Sequence, residues 1–263
     1  MNTETIEAYV LRTDADGIAT LTLNRPKQFN ALSEAMIAAL QLEIDRLAKD
    51  DSIRVVVIAG EGKAFCAGHD LKEMRQNYRK AFQSALFARC AKLMTSLLAL
   101  PQPVIARVHG IATAAGCQLV SMCDLAIAAD GARFAVSGIN VGLFCSSPSV
   151  GLSRNVSRKQ AFEMLVTGDF ISAAEAVSRG LINRAVPVEA LDDEIARLAK
   201  QIAAKPRSAI AAGKRLFYRQ LEMGIEAAYQ IAGETMACNM MEADTAEGVD
   251  AFIEKRSPRW ATD

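Results

Sequence analysis

Tryptophan occurs once and histidine twice in this sequence of 263 residues, aromatic residues make up 6%, and neither charge sign is in excess, with 30 Lys and Arg against 30 Asp and Glu. That balance excludes the broad positive field by which proteins gather nucleic acid or an anionic membrane surface, so neither is expected as a partner. No apolar run approaches the roughly 18 residues of a membrane-spanning helix. Residues 1–10 carry Glu4 and Glu7 and no Lys or Arg, unlike a secretory leader. The six cysteines, at 66, 90, 117, 123, 145 and 238, lack close metal-type pairs and sit mostly among apolar neighbours. They read as buried reduced thiols, with no metal site and no disulfide. Together these absences lead us to expect a soluble, cytoplasmic protein.

What is present is ordinary globular composition, 51% apolar and 23% charged, in a chain long enough for a large core. There is no internal repeat and no low-complexity linker. Residues Ala8 to Leu11 and Ile18 to Leu23 alternate around Asp14-Ala15-Asp16-Gly17 and read as a hairpin. Ser33 then caps a helix whose face is Met36, Ile37, Leu40, Ile44 and Leu47. Arg54 to Ala59 is too apolar to face water on either side, which marks a buried, parallel strand. A helical stretch from about Gln76 to Leu100 separates it from further buried strands at Val104 to Val108 and Asp124 to Ala129. Such βα alternation predicts an α/β core with ligands at the carboxyl ends of the strands, just after Ala59 and Val108. Beyond about residue 158 the pattern becomes helical, as in Leu191, Ile195, Leu198 and Ile202. From Pro206 on, it reads as helices alone, with apolar faces for the core or another subunit.

Two loops carry the chemistry. The first, Gly62 to Met74, empties a strand into small residues before Asp70 caps a helix, whose free backbone N–H groups suit partial negative charge. It is not a phosphate-binding P-loop, since Ala64 stands where Ser or Thr is needed and Val57 where the upstream Gly belongs. The second, His109 to Leu119, opens another buried strand through Ala112, Thr113, Ala114, Ala115 and Gly116 into a helix. Only small side chains let a ligand approach the backbone there. Two such loops can converge two N–H donors on one oxygen and so stabilise an enolate or tetrahedral oxyanion, each donor being worth about a hundred- to a thousandfold in rate.

Three segments in register, Asn24 to Leu32, Phe65 to Met74 and Gly110 to Asp124, resemble the signature segments of the crotonase (enoyl-CoA hydratase/isomerase) superfamily, and the ending Ala251 to Arg256 extends the resemblance over essentially the whole chain. Within the superfamily the chain looks most like the enoyl-CoA hydratase domain-containing protein 3 type, which shares the patterns at Ala112 to Leu119 and Asn140 to Ser146. The resemblance implies a spiral of ββα turns over residues 1–200 and a helical oligomerisation region over residues 201–263, in a trimer or a dimer of trimers. It implies an enzyme of fatty acid metabolism acting on an acyl-CoA thioester, with coenzyme A as part of the substrate and no separate cofactor. The oxyanion donors would be the backbone N–H groups of His69 and Ala115. Coenzyme A would lie against Lys27, Ala67, Gly68, Asp70 and Leu71, and would be reached by Phe252 and Lys255 of a neighbouring subunit.

The chain departs from the family where hydratases carry two glutamates that handle water. Gln118 stands at the first position and Gly138 at the second, and neither exchanges a proton. A positioned carboxylate is worth about a hundred- to ten-thousandfold as acid or base, so efficient hydration of a simple enoyl-CoA is not expected. Gln118 remains a candidate for orienting water or a substrate carbonyl, and Cys145 and Ser146 for lining the pocket. His69 is expected to serve through its backbone, and His109 to be a satisfied core histidine. The alternative to an enzyme is a non-catalytic acyl-CoA-binding or scaffold protein of the same fold.

Overall fold

Ten strands and eleven α-helices follow one another along residues 8–260, the part of the chain that the computed structural model describes. The strands are β1 (Val10–Ala15), β2 (Ile18–Leu23), β3 (Val55–Gly60), β4 (Ala64–Cys66), β5 (Val104–Val108), β6 (Ile111–Thr113), β7 (Leu125–Ala129), β8 (Arg133–Ala135), β9 (Ile171–Ser172) and β10 (Arg184–Val186). The helices are α1 (Glu34–Leu47), α2 (Leu71–Gln76), α3 (Lys80–Ala99), α4 (Ala115–Met122), α5 (Ser146–Asn155), α6 (Arg158–Thr167), α7 (Ala173–Ser178), α8 (Leu191–Ala203), α9 (Arg207–Gln220), α10 (Ile225–Met240) and α11 (Ala243–Ile253).

The strands form two sheets, β1-β2-β3-β5-β7-β10 and β4-β6-β8-β9. Pairing is parallel except for β1 with β2 and β8 with β9. The consecutive pairs β3/β4, β5/β6 and β7/β8 each put one strand into either sheet, and a helix follows each pair. This is the expected α/β spiral of ββα turns. The continuous apolar run of β3 is explained by cover on both faces. Val56 and Ile58 face the core under α1 and α3, while Val55 and Val57 face a second cluster with Leu191, Ile195 and Ala199 of α8. Period-2 alternation then has both of its faces apolar.

Local chemistry sets most boundaries. The Ser33 hydroxyl accepts from Met36 N–H at 3.2 Å and starts α1 where the sequence places it. The hairpin turn is tighter than expected: Ala15 pairs with Ile18, leaving Asp16 (φ 51°) and Gly17 (φ 73°) as a two-residue loop whose positive φ values match the strand twist. The helical stretch expected from residue 76 breaks at residues 77–79, where the Asn77 side chain donates to Glu73 O and closes α2. Beyond residue 158 the chain is not helical throughout, because β9 and β10 intervene, too short to show any alternation. Helix α8 runs across the expected division at residue 200. The residues read as lacking a leader lie, through residue 7, outside the described ones.

The C-terminal helices are tied to the core by one buried polar cluster. The Lys214 ammonium on α9 donates to Leu97 O and Gln102 O, both at 2.9 Å, and to Asp124 Oδ2 at 2.7 Å. Asp124 also accepts from Val104 N–H and from the Tyr218 hydroxyl. Burial pulls the Lys214 ammonium below its ordinary value, an effect that Asp124 opposes.

Candidate active site

The first loop is held in place by a segment far from it in sequence. Asn30, fully buried, accepts from Arg25 N–H through Oδ1 and donates through Nδ2 to Glu61 O and Ala64 O. Ala67 N–H donates to Phe29 O at 3.0 Å. The loop bearing Lys27 is thereby stitched along the loop bearing Ala67, Gly68, Asp70 and Leu71. Lys27 and Leu71 are exposed, and Asp70 caps α2 by accepting from Lys72 and Glu73 N–H at 3.1 and 3.2 Å. Asp70 also faces Arg25 at 3.7 Å.

The direction of the His69 amide follows from strand pairing. Leu32 N–H donates to Gly68 O at 2.7 Å, and Leu32 O accepts from Asp70 N–H at 3.3 Å. In such a parallel pairing the groups flanking His69 face Leu32, so its own N–H points to the other side. Ala115 is the first residue of α4, one of the four amides with no acceptor inside a helix. Ala114 before it has φ 50° and ψ −120°, strained for a residue with a Cβ and costing about 1–3 kcal/mol. Strain of this kind marks a backbone held for a purpose other than stability.

The two loops touch. A Cβ added at Gly68 (φ 90°) would lie 3.1 Å from Ala115 N and 2.8 Å from Ala114 Cβ. A Cβ at Gly116 would overlap the Cys66 carbonyl, 2.7 Å from its carbon. Glycine at both positions is therefore a requirement of close approach, which brings the residue before His69 against the amide of Ala115.

Gln118 lies one turn along α4, only 5% exposed, and its Oε1 is buried without a partner. Long side chains on a helix lean back over the preceding turn, and the turn before Gln118 begins at Ala115. The His69 ring packs edge-on against Phe87 at 5.3 Å, and its Nε2 is also buried without a partner. Burial pushes the His69 imidazole down to about 4, so it is neutral at pH 7. Gly138 is brought alongside by the β6/β8 pairing and by the hydroxyl contact of Thr113 with Ser137 at 2.7 Å. A Cβ there would meet Leu143 O at 2.5 Å and Cys145 Sγ at 2.7 Å, so the thiol and the loop fill the space next to it. Cys145 is buried and accepts from Gly138 N–H, whereas Ser146 is exposed at the start of α5.

Phe252 and Lys255 are not brought to these loops within the chain. Phe252, 85% exposed, stands on α11, which packs on α10. Two clefts, of about 680 and 720 Å³, are likewise lined by neither His69, Ala115 nor Gln118. Two expectations need correction. Cys238 is exposed rather than buried, because it lies on the open face of α10. His109 is half-satisfied, with Nε2 at 2.8 Å from Gly62 O but Nδ1 buried without a partner, since its strand ends at a cleft rather than in the core. Among the described residues no three His, Cys, Asp or Glu are grouped to hold a metal. Burial raises the Cys66 and Cys117 thiols to about 12 and keeps them protonated.

Sequence reasoning had no signal for the strain at Ala114, a property of backbone angles, nor for the stitching role of Asn30. A polar residue inside a loop reads the same whether buried or solvated.

Comparison with known proteins gives the family. Residues 13–263 match the family model for enoyl-CoA hydratase/isomerase. The chain is 49% identical over 244 residues, 93% of its length and 83% of the relative's, to the Xenopus laevis protein named enoyl-CoA hydratase domain-containing protein 3, mitochondrial. A crystal structure of an enoyl-CoA hydratase from Mycobacterium smegmatis superimposes with a TM-score of 0.96 at 63% identity, covering 97% of this chain and 100% of that one. The human enoyl-CoA hydratase domain-containing protein 3 superimposes with a TM-score of 0.93 at 43% identity, over 96% and 100% of the two chains. The Xenopus protein and its counterparts from rat, mouse, human and zebrafish are all named mitochondrial, which overturns the expectation of a cytoplasmic protein. That expectation rested on charge, on the lack of a long apolar run, on residues 1–10 and on cysteines read as reduced thiols, and a compartment is not encoded in the packing of a folded core. On the family match, the shared segments and the fold, the chain belongs to the enoyl-CoA hydratase/isomerase family.

Proposed function

We propose that the chain binds an acyl-CoA thioester and holds its carbonyl oxygen between the N–H groups of His69 and Ala115, stabilising an enolate. The observation that carries this reading is the contact of Gly68 with the acceptor-free Ala115 amide, on a backbone strained at Ala114. Coenzyme A runs over the stitched loops past Ala67, Gly68, Asp70 and Leu71, with Lys27 near its phosphates, and it is part of the substrate, so no further cofactor is invoked. Exposed apolar side chains on α10 and α11, among them Tyr229, Met236, Phe252 and Ile253, support a helical region that joins subunits into a trimer or a dimer of trimers. In that assembly Phe252 and Lys255 reach the neighbour's coenzyme A. With Gln118 and Gly138 in place of carboxylates, hydration is slow, and isomerisation, thioester hydrolysis or decarboxylation are the reactions open to the site.

The test removes the oxygen. Butyryl-CoA, titrated calorimetrically against S-butyl-CoA, which lacks the carbonyl, binds about tenfold tighter or more, as hydrogen bonds worth about 1–3 kcal/mol require. Equal affinity refutes the oxyanion reading. The filled space beside Gly138 favours a second reading, binding without turnover, which a panel of acyl-CoA thioesters followed by mass spectrometry separates from the first.

A further inference from the structure

The balance of charge belongs to the chain as a whole and not to its parts. Residues 71–99, which form α2, α3 and the corner between them, hold six Lys and Arg against one acid, Glu73. Glu73 accepts from Glu34 N–H at 2.9 Å and so serves the start of α1, and Arg89 is paired with Glu34. Lys72, Arg75, Arg79 and Lys80 are all exposed, and none of them forms an ion pair among the described residues. Lys72 and Arg75, three apart on α2, share a face of that helix. The Arg75 guanidinium lies over the Tyr78 ring, 5.0 Å from its centroid, and Tyr78 leads directly into Arg79 and Lys80. The corner is fixed in place. Gln83 Nε2 donates to Met74 O at 2.9 Å and to Asn77 O at 3.1 Å, and Asn77 Nδ2 donates to Glu73 O at 3.0 Å. On it Tyr78 stands 78% exposed. Helix α3 has no acid in its first turn, so its dipole adds to the positive field rather than opposing it.

Four like charges gathered without counter-ions repel one another, and the fold itself makes no use of them. Their surroundings select among anionic partners. A protein interface is poor in lysine and is anchored by large side chains set into pockets. Here the outer face of α3 beyond Lys80 shows Ala81, Ser84 and Ala88, all exposed and too small to be anchors. A nucleic-acid strand stacks its bases on open aromatic faces, and the exposed ring of this corner already has Arg75 over one face. An anionic lipid surface asks for neither pocket nor stack. It takes spread charges, each worth about fivefold in binding, and tyrosine is a side chain that settles at the level of lipid headgroups. We infer that the corner between α2 and α3 docks on an anionic phospholipid bilayer. The inference stands apart from the acyl-CoA reading.

The experiment sediments the full chain with vesicles of phosphatidylglycerol and phosphatidylcholine in equal parts, and with vesicles of phosphatidylcholine alone. At an ionic strength of about 0.1 M, where charges act over about 10 Å, the chain partitions onto the first and not onto the second. At about 1 M, where they act over about 3 Å, it is released. Arg79→Gln combined with Lys80→Gln lowers the partition coefficient about 25-fold, fivefold for each charge, at an unchanged melting temperature. Arg158→Gln combined with Lys159→Gln removes the same charge from the exposed start of α6 and keeps the wild-type partition. Absence of binding to the phosphatidylglycerol vesicles, or an equal loss in the two double variants, overturns the inference. Should the variant at 79 and 80 change the oligomeric state in sedimentation velocity while vesicle binding persists, the corner is a contact between copies and the inference falls as well.

Discussion

Replacing Lys214 by methionine keeps the length and most of the volume of the side chain and removes only the ammonium. Three hydrogen bonds disappear, two of them to the main-chain carbonyls of Leu97 and Gln102, which end α3 and lead into β5. The third loss leaves the half-buried Asp124 carboxylate with only Val104 N–H and the Tyr218 hydroxyl. Removing one partner of a buried pair typically costs about 3–5 kcal/mol, because the remaining charge keeps its desolvation cost without its counter-ion. For a chain of this size each kcal/mol moves the melting temperature by about 2–4 °C. The expected drop is therefore on the order of 6–20 °C, read by scanning calorimetry at pH 7 and one fixed protein concentration. Tyr218→Phe removes a single hydrogen bond from the same carboxylate and is expected to cost about 1 kcal/mol. If Lys214→Met melts within about 2 °C of the wild type, the cluster is not what fastens α9 to the core.

Two further outcomes test the site. Gln118→Glu combined with Gly138→Glu does not confer efficient hydration of crotonyl-CoA, because a side chain at 138 collides with Leu143 O and Cys145 Sγ; the double variant instead loses about 1–3 kcal/mol to overpacking. A hundredfold gain in hydration over Gln118→Glu at unchanged melting temperature contradicts this. Acid sensitivity follows from His69, which burial holds at about 4, below the 6.5 of the free side chain. On acidification the unfolded chain takes up the proton first, so the contribution of His69 to stability is full above about 6.5. It is lost as pH falls from there to about 4, at about 1.4 kcal/mol for each pH unit crossed. His69→Phe has a shallower stability loss across that window in urea titrations, and an unaltered slope rules out His69 as a contributor.

The parts of the fold that could be read in advance are those where one short stretch of sequence determines the outcome. The run through Val57 demands cover on two faces, Ser33 and Asp70 cap the helices they precede, and the small residues from Ala112 to Gly116 have no other use than close approach. What could not be read depends on residues distant in the chain or on backbone angles. Asp124 and Lys214 are ninety positions apart, and no local pattern pairs them. Gly138 reads as the loss of a carboxylate, yet the structure shows the loss to be wider, because Cys145 and Leu143 occupy the same space.

All eight residues of α4 are buried, so every side chain on that helix must keep its outline for the interior to stay filled. A carboxamide and a carboxylate share one outline. At position 118 a lineage can exchange proton chemistry for neutral recognition by altering a single heavy atom, with no change in the shape the interior must hold. At position 138 the same change of chemistry is written into the path of the main chain, so retracing it demands rebuilding a loop. One substitution of the two is reversible in a single step, and the other is not.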